Sequence, residues 1–236
     1  MIKIISIYSI YKMSNNIVNE LDQIDTGDIL LFVGNTWYDK LIQLLGRSPY
    51  CHVAMVLKSP TFINEGLTGM YIIESGIEKF PDAEDNKYKF GVQVNDLQKV
   101  LNSTDNKNVF VRKLTCKRDQ KFYEKIKEIH DKTKDIPYDI SIKDWLEAKL
   151  LVDTNDLNKT ESYFSSNNVF KTNTFWCSAL LAYIYEQLGL LKLRNINMFD
   201  ENIIPWTIIA PKEFSVNGNV ILDFINCKLS DEIQIR

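Results

Sequence analysis

Histidine is the scarcest chemistry-bearing residue in this chain: 236 residues contain two, His52 and His130. Any catalytic imidazole must be one of them. Cysteine is almost as sparse, with Cys51, Cys116, Cys177 and Cys227 far apart and no CxxC pair. The size excludes a disulfide-stapled miniprotein, and a tetrahedral zinc site lacks its usual close ligand spacing. Charge of one sign is missing too. The chain has 31 acidic and 28 basic side chains, a formal charge of −3, which argues against the basic excess that nonspecific nucleic-acid binding requires; no nucleic-acid partner is expected. Long apolar runs are absent. The N-terminal MIKIISIYSIYKM has an uninterrupted stretch of about half the ~20 residues that span a bilayer. It is interrupted by Tyr8, Tyr11 and Lys12, and no small-residue cleavage site follows it. No transmembrane segment is expected, and a cytoplasmic, thiol-reducing compartment is the default.

What is present is enough to build a core. Hydrophobic residues make up 45% and charged residues 25%, close to the globular average, so disorder throughout is excluded. Residues 1–20 read as an N-terminal arm, either an extra strand or a loosely attached segment, and Met13 offers a second start. Residues 21–236 read as one domain. Turn-rich stretches at 81–89 and 102–108 read as loops. The Asn-, Thr- and Ser-rich stretch 153–174 belongs to a flap or insertion at about 140–174.

Periodicity predicts strands at 28–33, 52–57, 70–74, 90–94 and 108–114, with a return to strand near 219–224. Helices are predicted at 37–45, with Gly46 as the stop, at 118–134, at 141–151 and at 177–188. The last, CSALLAYIYEQL, is apolar almost all round and should be buried on most sides. Strands followed by helices, without βαβ alternation, make an α+β fold with a mainly antiparallel sheet packed on a buried helix that starts at Cys177.

That position gives Cys177 chemical interest. A thiol at a helix N-terminus faces unpaired N–H groups and the positive end of the dipole, which favour a thiolate and can stabilise an oxyanion. The competing reading is a small buried hydrophobe, the usual fate of free cysteine. His52 opens the strand HVAMVL and could accept the proton of a cysteine nucleophile; alone it reads as a hydrogen-bonded strand-end histidine. Glu74 closes the next strand, where a carboxylate could fix the imidazole tautomer. His130 lies among lysines on an amphipathic helix and reads as surface. Cys51 adjoins His52, and strand alternation turns it to the opposite face.

In order along the chain come TGDILLF, LLGRSPY, CHVAMVL, IIES, IPYD and FWCSALLAYIYEQLGLL. This ordered set resembles the permuted papain-like amidases, the YaeF/YiiX-type branch of the NlpC-like superfamily, which also has poxvirus members. The likeness runs from about residue 25 to about residue 215 and includes PWTIIAPKEFS. It implies a circularly permuted papain-like fold, with His before Cys in the chain. It implies a cysteine hydrolase (amidase or peptidase) with Cys177 as nucleophile, His52 as base and then acid, and Glu74 orienting His52. It also places Tyr50, Tyr138, Trp176 and Ser178 at the substrate, with Tyr138 lining the cleft. The chain departs from the family pattern at Cys51, where Ser is usual, at Trp176, and in the 38 residues between Tyr138 and Cys177. No metal or organic cofactor is implied. The expected substrate is a peptide, an amide or an acyl lipid. Two other functions fit the same residues. One is a lipid acyltransferase or thioesterase, with 141–151 as a lipid-facing lid rather than a packing helix. The other is a non-catalytic interaction protein on a hydrolase scaffold. The Asn, Ile and Lys bias and the poxvirus members point to a large DNA virus as source, and so to host cytoplasm or the virion.

Overall fold

A computed structural model describes residues 22–77, 79–103, 105–139, 173–193, 209–218 and 222–236. The expected arm at 1–20, the helix at 141–151 and all but the last two residues of the 140–174 insertion lie outside the described residues.

The first strand, β1 (Ile29–Gly34), is central. It pairs on one side with β2 (His52–Lys58) and on the other with β5 (Asn106–Arg112). β3 (Met70–Gly76) and β4 (Gly91–Asp96) extend the sheet beyond β2, and β10 (Ile233–Gln234) covers the far edge of β5. The order is β10-β5-β1-β2-β3-β4, and every pairing is antiparallel. The protein is therefore α+β with a mostly antiparallel sheet, as the run of strands before helices predicts. β1 and β2 are buried along almost their whole length, which explains why they read as continuous apolar runs rather than alternating ones.

Both faces of the sheet are covered. Leu31, Val53, Met55, Ile73 and Val94 share one core with α3 (Gln120–Thr133) and α4 (Cys177–Gln187). Leu30, Phe32, Ala54, Val56 and Ile72 share a second core with α2 (Leu97–Asn102). Each fully buried Leu, Ile or Val contributes roughly 1.5–3 kcal/mol, so the sheet is a rigid platform. α2 is missing from the sequence reading because six residues are too few to show a helical period. Its start is nonetheless marked by Asp96, whose carboxylate accepts from the Lys99 amide at 2.8 Å.

α1 (Trp37–Gly46) begins at a capping box. Thr36 accepts from the Asp39 amide at 3.1 Å, and Asp39 accepts from the Thr36 amide at 2.9 Å. Its stop differs from expectation. Gly46 is inside the helix, and Arg47 takes the left-handed cap position with φ 48°. α4 is buried on most sides as expected, and Gly189 follows it at φ 70°. Its Tyr185 hydroxyl donates to the Gly27 carbonyl at 2.7 Å, tying the helix to the start of β1.

His130 is a correction. It is 2% exposed, and its Nε2 lies 2.8 Å from Glu84. The lysines around it in sequence occupy the other side of α3. Ile126, His130 and Thr133 follow one another at helical spacing on the buried side, so His130 is a core residue that ties α3 to the 82–88 turn. Short pieces complete the described chain: β6 (Leu114–Thr115), β7 (Leu191–Leu193), a 3₁₀ turn at Pro211–Phe214, β8 (Leu222–Phe224) and β9 (Lys228–Leu229). The expected strand at 219–224 is β8; residues 219–221 lie outside the described residues. Among the described residues no helix is long and apolar enough to cross a membrane.

Candidate active site

Sheet register does most of the assembly. Met55 faces Ile73 across β2 and β3. Continued by one pair, that register makes His52 and Glu74 diagonal neighbours on one face. Glu74 in turn faces Gln93 on β4, so Asn95 is its diagonal neighbour on the other side. The side chains meet as this geometry requires. His52 Nε2 hydrogen-bonds Glu74 Oε2, and Asn95 Nδ2 donates to Glu74 Oε1 at 2.7 Å. Three strands thus present a diagonal His–Glu–Asn row that starts where β2 begins.

Cys177 is delivered by backbone. Ser75, next to Glu74, donates to the Phe175 carbonyl at 2.5 Å. The Phe175 amide donates to the Pro137 carbonyl at 3.1 Å, and the Asp139 amide to the Phe175 carbonyl at 3.3 Å. The strand-like residue before the helix is thereby clamped between β3 and the 137–139 segment. That segment is held by β4 in its turn. The Val92 amide donates to the Ile136 carbonyl at 2.9 Å. A Cβ at Gly91 (φ +152°) would lie 2.2 Å from that same oxygen, so only glycine allows the approach. α4 then starts at Cys177 with Trp176 as its N-cap, which brings the Cys177 sulfur close enough to act electrostatically on the His52 ring. With Nε2 taken by Glu74, the nitrogen left for the thiol is Nδ1.

The electrostatics follow. Burial opposes a charge on His52, but the Cys177 sulfur and the Glu74 carboxylate on either side outweigh it and raise the imidazole to about 10. Burial alone would push Glu74 up. His52 and Asn95 outweigh it, and the carboxyl is held below its ordinary value.

A cleft of about 280 Å³ opens on the histidine side, lined by His52, Glu74, Lys79, Asp105, Tyr38 and Tyr138. A smaller pocket of about 40 Å³ adjoins Cys177 and is mostly apolar, with Leu41, Ile42, Leu45, Trp176 and Pro211. Tyr38, Ile42, Cys51 and Tyr138 line both.

Of the residues singled out in the sequence, Cys177, His52 and Glu74 are brought together, and Tyr138 and Trp176 line the space around them. Ser178 lines the apolar pocket, but its hydroxyl is committed to the Ile209 carbonyl at 2.6 Å and so anchors the 209–214 segment. Tyr50 is a correction. Its ring packs edge-on against Phe110 and its hydroxyl bonds Glu232, away from the cleft. Cys51 is another. It lines the same cleft as His52, because β2 begins at His52 and the residue before it is outside the pleat. Its sulfur accepts from the Gly34 amide at 3.2 Å. Two site residues escaped the sequence reading. Asn95 left a trace, since β4 alternates Val92, Gln93, Val94, Asn95; that pattern ordinarily marks a solvent face, and here both faces are covered. Tyr38 left none.

No protein-family profile matches the chain, and no curated protein does. A solved structure similar to it is that of the metalloprotein YiiX from Escherichia coli O157:H7, a DUF1105 protein. The TM-score is 0.47 at 17% sequence identity, over 89% of this chain and 98% of that one. Among the described residues no group of three His, Cys, Asp or Glu side chains is placed to hold a metal ion.

Proposed function

We propose that the protein is a cysteine hydrolase that cleaves an amide or related acyl bond, with a papain-like site in circularly permuted chain order. The observation that supports this reading is His52 bonded through Nε2 to a buried Glu74 carboxylate, with the Cys177 sulfur at the head of α4 acting on the same ring electrostatically. Each group has a physical task. His52 Nδ1 takes the thiol proton, and the first turn of α4 stabilises the sulfur anion. Glu74 holds the ring by Nε2 and favours the imidazolium. The thiolate attacks the carbonyl carbon, His52 returns the proton to the leaving group, and water then releases the acyl-enzyme. The order His52, Glu74, Cys177 agrees with the family resemblance in the sequence.

The apolar lining beside Cys177 favours a second reading, transfer of an apolar acyl group from a thioester or lipid ester by the same residues. Acyl-enzyme formation from thioesters but not from amides would select it.

The test of the main reading is the pH profile of Cys177 alkylation by iodoacetamide. An unpaired thiol titrates near pH ~8.5, and a His-paired thiol at a helix N-terminus titrates at about 3.5–7.5. Fast, selective labelling of Cys177 below pH 7 that is lost in His52→Ala is the expected result. Labelling no faster than at Cys116 would refute the catalytic pair and leave a non-catalytic scaffold.

A further inference from the structure

All four cysteines are free thiols, and the hydrolase reading uses one of them. Cys116 and Cys227 are left without a task, yet the fold sets them opposite each other. β6 and β9 pair antiparallel, with Leu114 opposite Leu229 and Thr115 opposite Lys228. One step further on the same register, Cys116 faces Cys227. At the other end of the ladder the Ser230 amide donates to the Lys113 carbonyl at 2.9 Å, which makes Lys113 and Ser230 a hydrogen-bonded pair. Hydrogen-bonded and non-hydrogen-bonded pairs alternate along an antiparallel ladder. Cys116 and Cys227 therefore fall at a non-hydrogen-bonded position, where opposed Cα atoms are closest, at about 4.5 Å. A disulfide spans roughly 4.4–6.8 Å between Cα atoms. The side chains agree with the backbone. Alternation puts Cys116 on the face of Leu114 and Cys227 on the face of Leu229. Leu114 is buried in the core that α3 and α4 share, and Cys116, Cys227 and Leu229 pack against that same core. Both cysteines are half-buried, and Cys227 Sγ donates to the Leu190 carbonyl at 3.5 Å, just beyond the end of α4. Burial raises both thiols, Cys227 to about 11, so neither reacts fast.

We propose that Cys116 and Cys227 form a modification site, at which a low-molecular-weight disulfide such as glutathione disulfide converts the facing thiols into a cross-strand disulfide. One protein thiolate attacks the glutathione disulfide and releases one glutathione. The other attacks the protein sulfur of the mixed disulfide and releases the second. The two protein thiols are oxidised, and their two protons and two electrons leave on the two glutathiones. The bond fastens a C-terminal stretch that is otherwise paired by two ladders of two residues each, β6 with β9 and β5 with β10. That stretch carries Glu232, which accepts from the Val216 amide at 2.9 Å and so braces the 209–218 segment. The site lies at the opposite end of α4 from Cys177, roughly 16 Å away at 1.5 Å per residue. It stands independently of the hydrolase reading.

The test incubates the reduced, full-length protein with glutathione disulfide at pH 8, traps remaining thiols with N-ethylmaleimide and digests the monomer with trypsin without reduction. The tryptic peptides 114–117 and 213–228 should be recovered joined, at the sum of their masses less two hydrogens. The oxidised protein should melt roughly 5–15 °C above the reduced one, and dithiothreitol should reverse the rise. The double variant Cys116→Ser, Cys227→Ser should show no rise, which separates this bond from any glutathione carried by Cys177. The proposal is overturned if the two cysteines are recovered free or each carrying glutathione, or if either is joined to Cys51 or Cys177 instead. It is overturned equally if the joined protein melts no higher than the reduced one, or if the double variant shows the same rise.

Discussion

Replacing Asn95 by alanine should alter the chemistry of the site while scarcely changing the stability of the fold. Asn95 is 1% exposed and donates to Glu74 Oε1 at 2.7 Å, but its own Oδ1 has no partner among the described residues. Losing a hydrogen bond to a charged group costs about 1.5–3 kcal/mol, and removing an unsatisfied buried acceptor returns about 1–3 kcal/mol. The two nearly cancel in the unfolding free energy. They do not cancel at Glu74, because only the first bears on its ionisation. With one donor to its charged form gone, the carboxyl should titrate higher. Glu74 is held below its ordinary value, so its stabilising contribution is present above its unfolded pKa and disappears as pH falls through the folded one. In Asn95→Ala that loss begins at a higher pH. The acid limb of Cys177 alkylation should move up in the same direction, because a protonated Glu74 no longer favours the imidazolium. Urea unfolding at pH 7 and the alkylation profile measure the two sides of this comparison. An unmoved acid limb in a folded variant would refute the claim that Asn95 acts through Glu74. A stability loss above about 3 kcal/mol would refute the cancellation.

Cys51 should resist alkylation although it lines the cleft. Burial pushes its thiol up to about 12, and its sulfur is engaged by the Gly34 amide; peptide mapping after iodoacetamide at pH 8 should find Cys177 labelled and Cys51 unmodified. Arg118→Ala should destabilise the protein by about 3–5 kcal/mol, read from the urea midpoint. It removes the guanidinium that bonds Asp28 at 3.0 Å and the Leu114 carbonyl at 2.7 Å, and it leaves a nearly inaccessible carboxyl without its cation.

Much of the scaffold was legible along the chain. The strands from β1 to β5, together with α1, α3 and α4, carry period-2 or period-3.6 patterns, or apolar runs bounded by turn residues, and the structure moves their ends by two residues at most. What escaped was short or non-local. α2 spans six residues and β10 two, below the length at which a period declares itself. His130 was misread because its neighbours in sequence are lysines, whereas its neighbours in space are set by the turn of the helix and by Glu84. Tyr50 was misread because a motif assigns a residue to a loop and says nothing about Glu232, which lies 182 positions away and takes its hydroxyl.

By itself the sequence determined the kinds of chemistry available: one cysteine at the head of an apolar helix, two imidazoles to choose from, and a carboxylate at the end of a neighbouring strand. These follow from local pattern, which is set by residues within a turn or a strand of one another. The tertiary structure decided the rest. It joined His52 to Glu74 and buried His130 against Glu84, supplied Asn95 as the second support of Glu74, and set Tyr38 and Tyr138 in the lining of both pockets. Those selections depend on sheet register and on one clamp of backbone hydrogen bonds through Phe175, Pro137 and Ile136. Register follows from burying apolar side chains on both faces at once. That condition involves the whole sheet and is not written in any single stretch of the chain.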